Sequence, residues 1–94
     1  MIASYRDRRT KDFADGKRVK PFEAIEYAAR MKLDRLAAAL SLNDLRALPG
    51  NRLEALGGDR RGQYSIRIND RWRICFEWSA TAEGPENVEI VDYH

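Results

Sequence analysis

One cysteine, Cys75, and one histidine, His94, are all that the 94-residue sequence offers in thiols and imidazoles. A lone thiol excludes an intrachain disulfide. The scattered carboxylates have no spacing that suits a zinc site or a two-metal phosphodiesterase, so no metal and no other cofactor is expected. Long apolar runs are missing too. Nothing has the length of a membrane span or the apolar core of a secretion signal, which makes a reducing cytoplasm the expected compartment. A glycine-rich phosphate cradle is also absent, because Gly57, Gly58 and Gly62 read as a turn between strands rather than a strand-to-helix loop. No repeat, linker or low-complexity segment interrupts the chain. One domain, residues 1–94, is the expected organisation, and it is long enough to close a core without staples.

What the sequence does have is charge in blocks. The net charge is only +2. Yet residues 1–20 carry seven Lys/Arg against three Asp, and residues 59–73 carry five Arg against two Asp. The acidic residues Glu83, Glu86, Glu89 and Asp92 gather towards the other end. Local basic surface of this kind suits an anionic partner such as nucleic acid, although solvated faces give the same pattern.

Residues 1–5 are mildly strand-like and precede a charged stretch, ending at Asp15-Gly16, that has room for a short helix. From Pro21 onward, Phe22, Ile25, Ala29, Leu33, Leu36 and Leu40 recur at spacings of three and four. That pattern predicts one long amphipathic helix with proline at its first turn. Ser41 is placed to cap a short helix through Leu48, Pro49-Gly50 stops it, and 52–56 reads as a strand. A last strand is expected over 87–94, after a loop at 79–86.

Between them lies a hairpin whose register follows from parity. Tyr64, Ile66 and Ile68 alternate with polar residues, as do Trp72, Ile74, Phe76 and Trp78, so even-numbered side chains share one face. Opposed residues in an antiparallel pair must also share a face. A three-residue loop at 69–71 meets that condition by pairing Ile68 with Trp72 and Ile66 with Ile74. Arg67 then falls opposite Arg73. Like charges across a ladder are destabilising by about 0.2–1 kcal/mol, so an anion is expected between them, and phosphate fits. The plainer alternative has both arginines splayed into water or paired with Glu89 or Glu77.

Cys75 lies on the polar face with no base or helix terminus to make it a thiolate, and a small strand residue is its expected role. What remains is metal-free RNA cleavage, in which the ribose 2′-hydroxyl is the nucleophile and the protein moves protons and holds charge. His94 is the natural proton carrier, with an unperturbed pKa of about 6.5. Arg73 and Arg67 have the planar forks that grip phosphate oxygens. Asp92, Tyr93 and Glu54 remain open as the second proton-transfer or orienting group.

The residues Asn51-Arg52-Leu53-Glu54, Gly58-Asp59-Arg60-Arg61-Gly62, Tyr64-Ser65-Ile66-Arg67, Trp72-Arg73-Ile74-Cys75-Phe76 and Asp92-Tyr93-His94 together resemble the HigB toxins of the RelE/ParE superfamily. The resemblance spans essentially the whole chain. It implies an α+β fold, with an N-terminal strand and helices packed on one face of a mostly antiparallel sheet that ends in a hairpin and a final strand. It implies a ribosome-dependent mRNA endonuclease of a type II toxin–antitoxin system, with Arg73, Asp92, Tyr93 and His94 as carried-over site residues. Several HigB relatives have a histidine where this chain has Glu54. Arg60, Arg61 and Arg71 join Arg67 as candidate RNA contacts. The implied partners are a HigA-like helix-turn-helix antitoxin, the ribosome with its mRNA, and operator DNA through the antitoxin complex. Two other readings stand beside this one: a ParE-like toxin acting on gyrase, and a degenerate antitoxin-binding module.

Overall fold

The computed structural model describes residues 1–93. Its first helix, α1 (Arg8–Ala14), starts where the Asp7 carboxylate accepts the Thr10 amide at 3.0 Å, satisfying one of the amides that a helix start leaves unpaired. The chain then turns at Gly16, at φ 91°, and enters a 3₁₀ turn, Lys20–Ile25, that leads into α2 (Glu26–Ala38). The single long helix expected from Pro21 is therefore two elements. Phe22 and Ile25, three residues apart and both buried, fit the three-residue period of a 3₁₀ turn as well as they fit an α-helix. From Ile25 the steps of four and three through Ala29, Leu33 and Leu36 describe α2 correctly. Leu40 leaves the pattern and is 88% exposed, because Ala39 is already extended and the Leu40 amide turns to the Asp44 carboxylate at 2.8 Å.

Ser41 caps α3 (Leu42–Arg46) as its position suggested, accepting from the Asp44 amide. The helix ends two residues before Leu48, which is exposed, and a 3₁₀ turn over Pro49–Asn51 follows. Arg52 then adopts the left-handed conformation, φ 44° and ψ 56°. That kink shortens the strand expected at 52–56 to β1 (Glu54–Ala55).

The remaining strands are β2 (Tyr64–Arg67), β3 (Trp72–Glu77) and β4 (Glu86–Asp92), and the four form an antiparallel sheet in the order β1-β2-β3-β4. The hairpin register agrees with the parity argument: Ile66 faces Ile74 and Arg67 faces Arg73, while the Ile68 amide bonds the Trp72 carbonyl at 2.9 Å. β4 begins one residue earlier than expected and ends at Asp92. The opening strand is reduced to one parallel bridge, Tyr5 to Val88, at the free edge of β4. The amides of Ala3 and Arg6 bond the carbonyls of Pro85 and Val88 there. Gly84 permits this crossing, since a Cβ at that position would lie 1.8 Å from the Met1 carbonyl oxygen.

All helices pack on the even-numbered face. Ile66, Ile74, Phe76, Val88 and Ile90 are at most 1% exposed there, against Phe13, Phe22, Leu33, Leu36 and Leu45. Each such side chain contributes about 1.5–3 kcal/mol by leaving water. Edge-to-face contacts of Phe22 with Phe13 and Trp72, at 5.6 and 5.7 Å, join the first helix and the 3₁₀ turn to the sheet. Among the described residues no helix packs on the opposite face, where odd-numbered residues of β2, β3 and β4 stand in one row with Glu54 of β1.

Candidate active site

Strand pairing places Glu54, Ser65, Cys75 and Glu89 in one row across the uncovered face, and Arg67, Arg73 and Val91 in the next. Arg73 lies diagonal to Ser65, and its Nε donates to the Ser65 hydroxyl at 2.8 Å. Its Nη2 donates to the Arg52 carbonyl at 2.7 Å and stands 4.0 Å from Glu54 Oε1. The residue is only 9% exposed although no helix among the described residues covers it. Of the five N–H donors on a guanidinium, two are engaged within the protein among the described residues, which leaves others for a ligand on the open side.

Arg67 opposes Arg73 in register, yet the two cations take different partners: Arg67 forms a close ion pair with Asp70, while Arg73 turns to Ser65, Arg52 and Glu54. Neither of the carboxylates named as alternative partners takes them. Glu89 accepts from Arg60 at 3.3 Å and lies 3.9 Å from Arg6, and Glu77 accepts from the Asn87 carboxamide at 3.4 Å. Arg60 also donates to Gln63, so its head lies along this face, whereas Arg61 is exposed at the end of the Gly58–Arg60 turn.

Asp92 is placed elsewhere. It pairs in register with Trp72, so alternation assigns it to the opposite face from Arg73, at the end of the sheet. Arg71 grips it with Nε at 2.9 Å from both oxygens and Nη2 at 2.7 Å from Oδ2. This carboxylate contact raises the Arg71 guanidinium further above its ordinary value. The Tyr93 amide donates to the Arg71 carbonyl at 2.7 Å, and its side chain is exposed. His94, the expected proton carrier, lies outside the described residues. The structure thus brings Glu54 to Arg73 and Arg71 to Asp92, and it keeps those two pairs apart.

Three supporting residues were given no role in the reading of the sequence, although Asn51 and Ser65 stand in the motifs quoted there. Ser65 holds Arg73 directly. Lys32, on α2, is 6% exposed, and it donates to the Gly50 carbonyl at 2.9 Å and to Asn51 Oδ1 at 3.0 Å. Burial pushes its ammonium group down from the usual lysine range, with Arg35 and Arg67 adding to the effect. Asn51 is fully buried and passes the contact on by donating to the Leu45 carbonyl at 3.1 Å. The signal for Lys32 was its place in the apolar period, three residues after Ala29 and four before Leu36. Cys75 is 1% exposed, and burial pushes its thiol up, which Glu89 reinforces and Arg60, Arg73 and Arg6 oppose.

With this geometry in hand, known proteins supply the family. Residues 3–94 match the family described as the RelE-like toxin of type II toxin–antitoxin system HigB. The chain belongs to this HigB-like toxin family. Toxin HigB-1 of Vibrio cholerae serotype O1 is 40% identical over 80 residues, which cover 83% of this chain and 84% of that one. An uncharacterised protein of Haemophilus influenzae is 40% identical over 47 residues, 50% of this chain and 46% of the other. The solved structure of a YoeB/ParE toxin from Agrobacterium tumefaciens superposes with a TM-score of 0.60 at 16% identity, over 99% of this chain and 98% of its own, and so shares the α+β fold. As a HigB toxin of a type II system, this HigB-like protein has a cognate antitoxin for a partner. No helix among the described residues is long and apolar enough to cross a membrane.

Proposed function

We propose that this HigB-like toxin is a ribosome-dependent, metal-independent mRNA endonuclease of the cytoplasm that stops translation. The observation that carries the reading is the Arg73 guanidinium, fixed on the uncovered face 4.0 Å from the Glu54 carboxylate, a cation and a base on one accessible surface. Glu54 takes the proton of the ribose 2′-hydroxyl, and O2′ attacks the adjacent phosphorus. Arg73 donates to the nonbridging oxygens as their charge grows in the phosphorane. The P–O5′ bond then breaks, His94 protonates the leaving oxygen, and the products are a 2′,3′-cyclic phosphate and a 5′-hydroxyl. Asp92, clamped by Arg71, and Tyr93 serve the end of the chain where His94 stands. Arg60, Arg61 and Arg67 attract the RNA backbone.

Glu54 and Arg73 supply a base and a cation, and in-line geometry has to come from a larger body, which a ribosome holding mRNA supplies. A HigA-like helix-turn-helix antitoxin neutralises the toxin, and operator DNA is reached only through their complex. The test is cleavage of mRNA on programmed ribosomes, with and without EDTA, using a message that carries a single 2′-deoxynucleotide at the cut position. Cleavage that survives EDTA, leaves a cyclic phosphate, disappears with the 2′-deoxy message and is far slower on naked RNA is the expected result. Inhibition of gyrase with intact mRNA would replace this reading with the ParE-like one.

A further inference from the structure

Arg73 is held at two points by the protein, and the second of them is not a side chain. It is the carbonyl of Arg52, a residue whose backbone is left-handed and so presents its carbonyl to Arg73 only while the kink persists. A non-glycine residue in that conformation needs its surroundings to fix it. The residue before it, Asn51, is fully buried, and its carboxamide donates to the Leu45 carbonyl at the end of α3 and accepts from Lys32 of α2. The same ammonium holds the Gly50 carbonyl. Lys32 therefore meets two neutral acceptors on consecutive residues, where a buried cation would ordinarily be expected to face a carboxylate.

We propose that Lys32 and Asn51 are positioning residues for Arg73: the buried ammonium on α2 locks the Pro49–Asn51 turn, the turn imposes the kink at Arg52, and the kink delivers the carbonyl that aims the Arg73 fork. The route runs from the helical layer along the turn and Arg52, ahead of β1, to the uncovered face, and neither residue touches RNA. This rests on the reading of Arg73 as the group that holds the scissile phosphate.

The experiment uses the full-length toxin released from its antitoxin complex, as Lys32→Met, which keeps the length of the stem and removes the ammonium, and Asn51→Asp, which keeps the acceptor for Lys32 and removes the donor to Leu45. Single-turnover cleavage on programmed ribosomes is measured for each, alone and with Arg73→Ala, and the Arg73 Nε–Hε resonance is followed by NMR. Misplacing a group by about 1 Å costs up to roughly a hundredfold, so each single variant is expected to lose about ten- to a hundredfold in the cleavage rate while half-saturation by ribosomes changes less than about twofold. In the Arg73→Ala background the same changes are expected to cost nothing further, since their effect passes through Arg73. The Arg73 resonance is expected to shift and exchange faster with water. Multiplicative losses in the Arg73→Ala background, or an unmoved resonance in a folded variant, overturn the proposal. If Lys32→Met fails to fold, Asn51→Asp decides by the same two readouts. If the wild-type toxin does not cut mRNA at all, the nuclease reading fails, and the resonance still decides whether Lys32 and Asn51 set Arg73.

Discussion

The two faces of the sheet are both dry, and they are dry for different reasons. On the helical face, Ile66, Ile74, Val88 and Ile90 lose water because other elements lie over them. On the uncovered face, Ser65 is 0% and Cys75 1% exposed with no helix above them. There Arg60, Arg73 and Arg6 stand close enough to Cys75 to act on its thiol, and their heads find Glu89, Gln63, Ser65, Glu54 and a carbonyl. One face is sealed by shape and the other by charged side chains that keep binding capacity at their tips. The proposed mRNA substrate, large and polyanionic, calls for the second kind of surface.

The sharpest way to break the comparison is to truncate neighbours on opposite faces. Ile74→Ala opens a cavity among the helices and is expected to destabilise by about 2–5 kcal/mol, a large part of a small domain's total. Arg73→Ala removes the donors to the buried Ser65 hydroxyl and to the Arg52 carbonyl, and is expected to destabilise by about 1–3 kcal/mol, less than Ile74→Ala, with the fold kept. It is expected to cost about 10²- to 10³-fold in cleavage. Urea unfolding and ribosome cleavage measured on both variants check this. A folded, active Arg73→Ala toxin would show that the open face is a covering layer with no chemistry.

Next in size comes Glu54→Gln, which keeps the shape and removes the basic oxygen. The side chain is more than half exposed, so stability should not change. Loss of a general base is expected to lower the cleavage rate by about 10²- to 10⁴-fold with half-saturation by ribosomes unchanged. A rate within a factor of two of wild type would move the base to another residue.

How far each face could be read from the sequence follows from the same contrast. Alternation alone gave the hairpin, its three-residue loop and the pairing of Arg67 with Arg73, because a one-residue slip would have turned every isoleucine out to water. The helical period gave α2 through Leu36 and misplaced both of its ends. Phe22 and Ile25 satisfy two periods at once, and Leu40 is released by a competing cap at Asp44. At the candidate site, residue types were legible and partners were not. Nothing local says that Arg67 turns to Asp70, that Arg73 takes a carbonyl from the Arg52 kink, or that Lys32 and Asn51 stand behind that kink. Asp92 was grouped with Arg73 through the family resemblance, while its pairing with Trp72 assigns it to the other side of the sheet.

A smaller effect distinguishes a clamp from an RNA contact at Arg71. Its bidentate hold on Asp92 sits at the end of the sheet, and its carbonyl takes the Tyr93 amide. If its head serves Asp92 alone, Arg71→Ala lowers cleavage less than Arg73→Ala does and adds nothing in an Asp92→Ala background. If Arg71 grips phosphate as well, the double variant loses more, and the salt dependence of ribosomal cleavage flattens by about one unit of slope. Rates measured across a range of potassium chloride separate the two outcomes.

The smallest expected effect tests whether the uncovered face is sealed at all. Cys75 sits in the row beside Arg73, and burial pushes its thiol up from the ordinary range, while the nearby Arg60, Arg73 and Arg6 pull the other way. In the unfolded chain the thiol ionises near pH 8.5. Below that pH both states hold the proton and the group contributes no pH dependence. Above it the unfolded chain releases its proton and the folded chain does not, so stability is lost as pH rises from about 8.5 through the raised folded value, at no more than about 1.4 kcal/mol per pH unit. Cys75→Ala lacks this term, and its stability curve should run parallel to wild type up to about pH 8 and then fall less steeply. A thiol reagent at pH 8 should label wild type only on unfolding. Rapid labelling of the folded toxin, or curves that stay parallel to pH 10, would mean that water reaches Cys75 and that the arginines do not close this face.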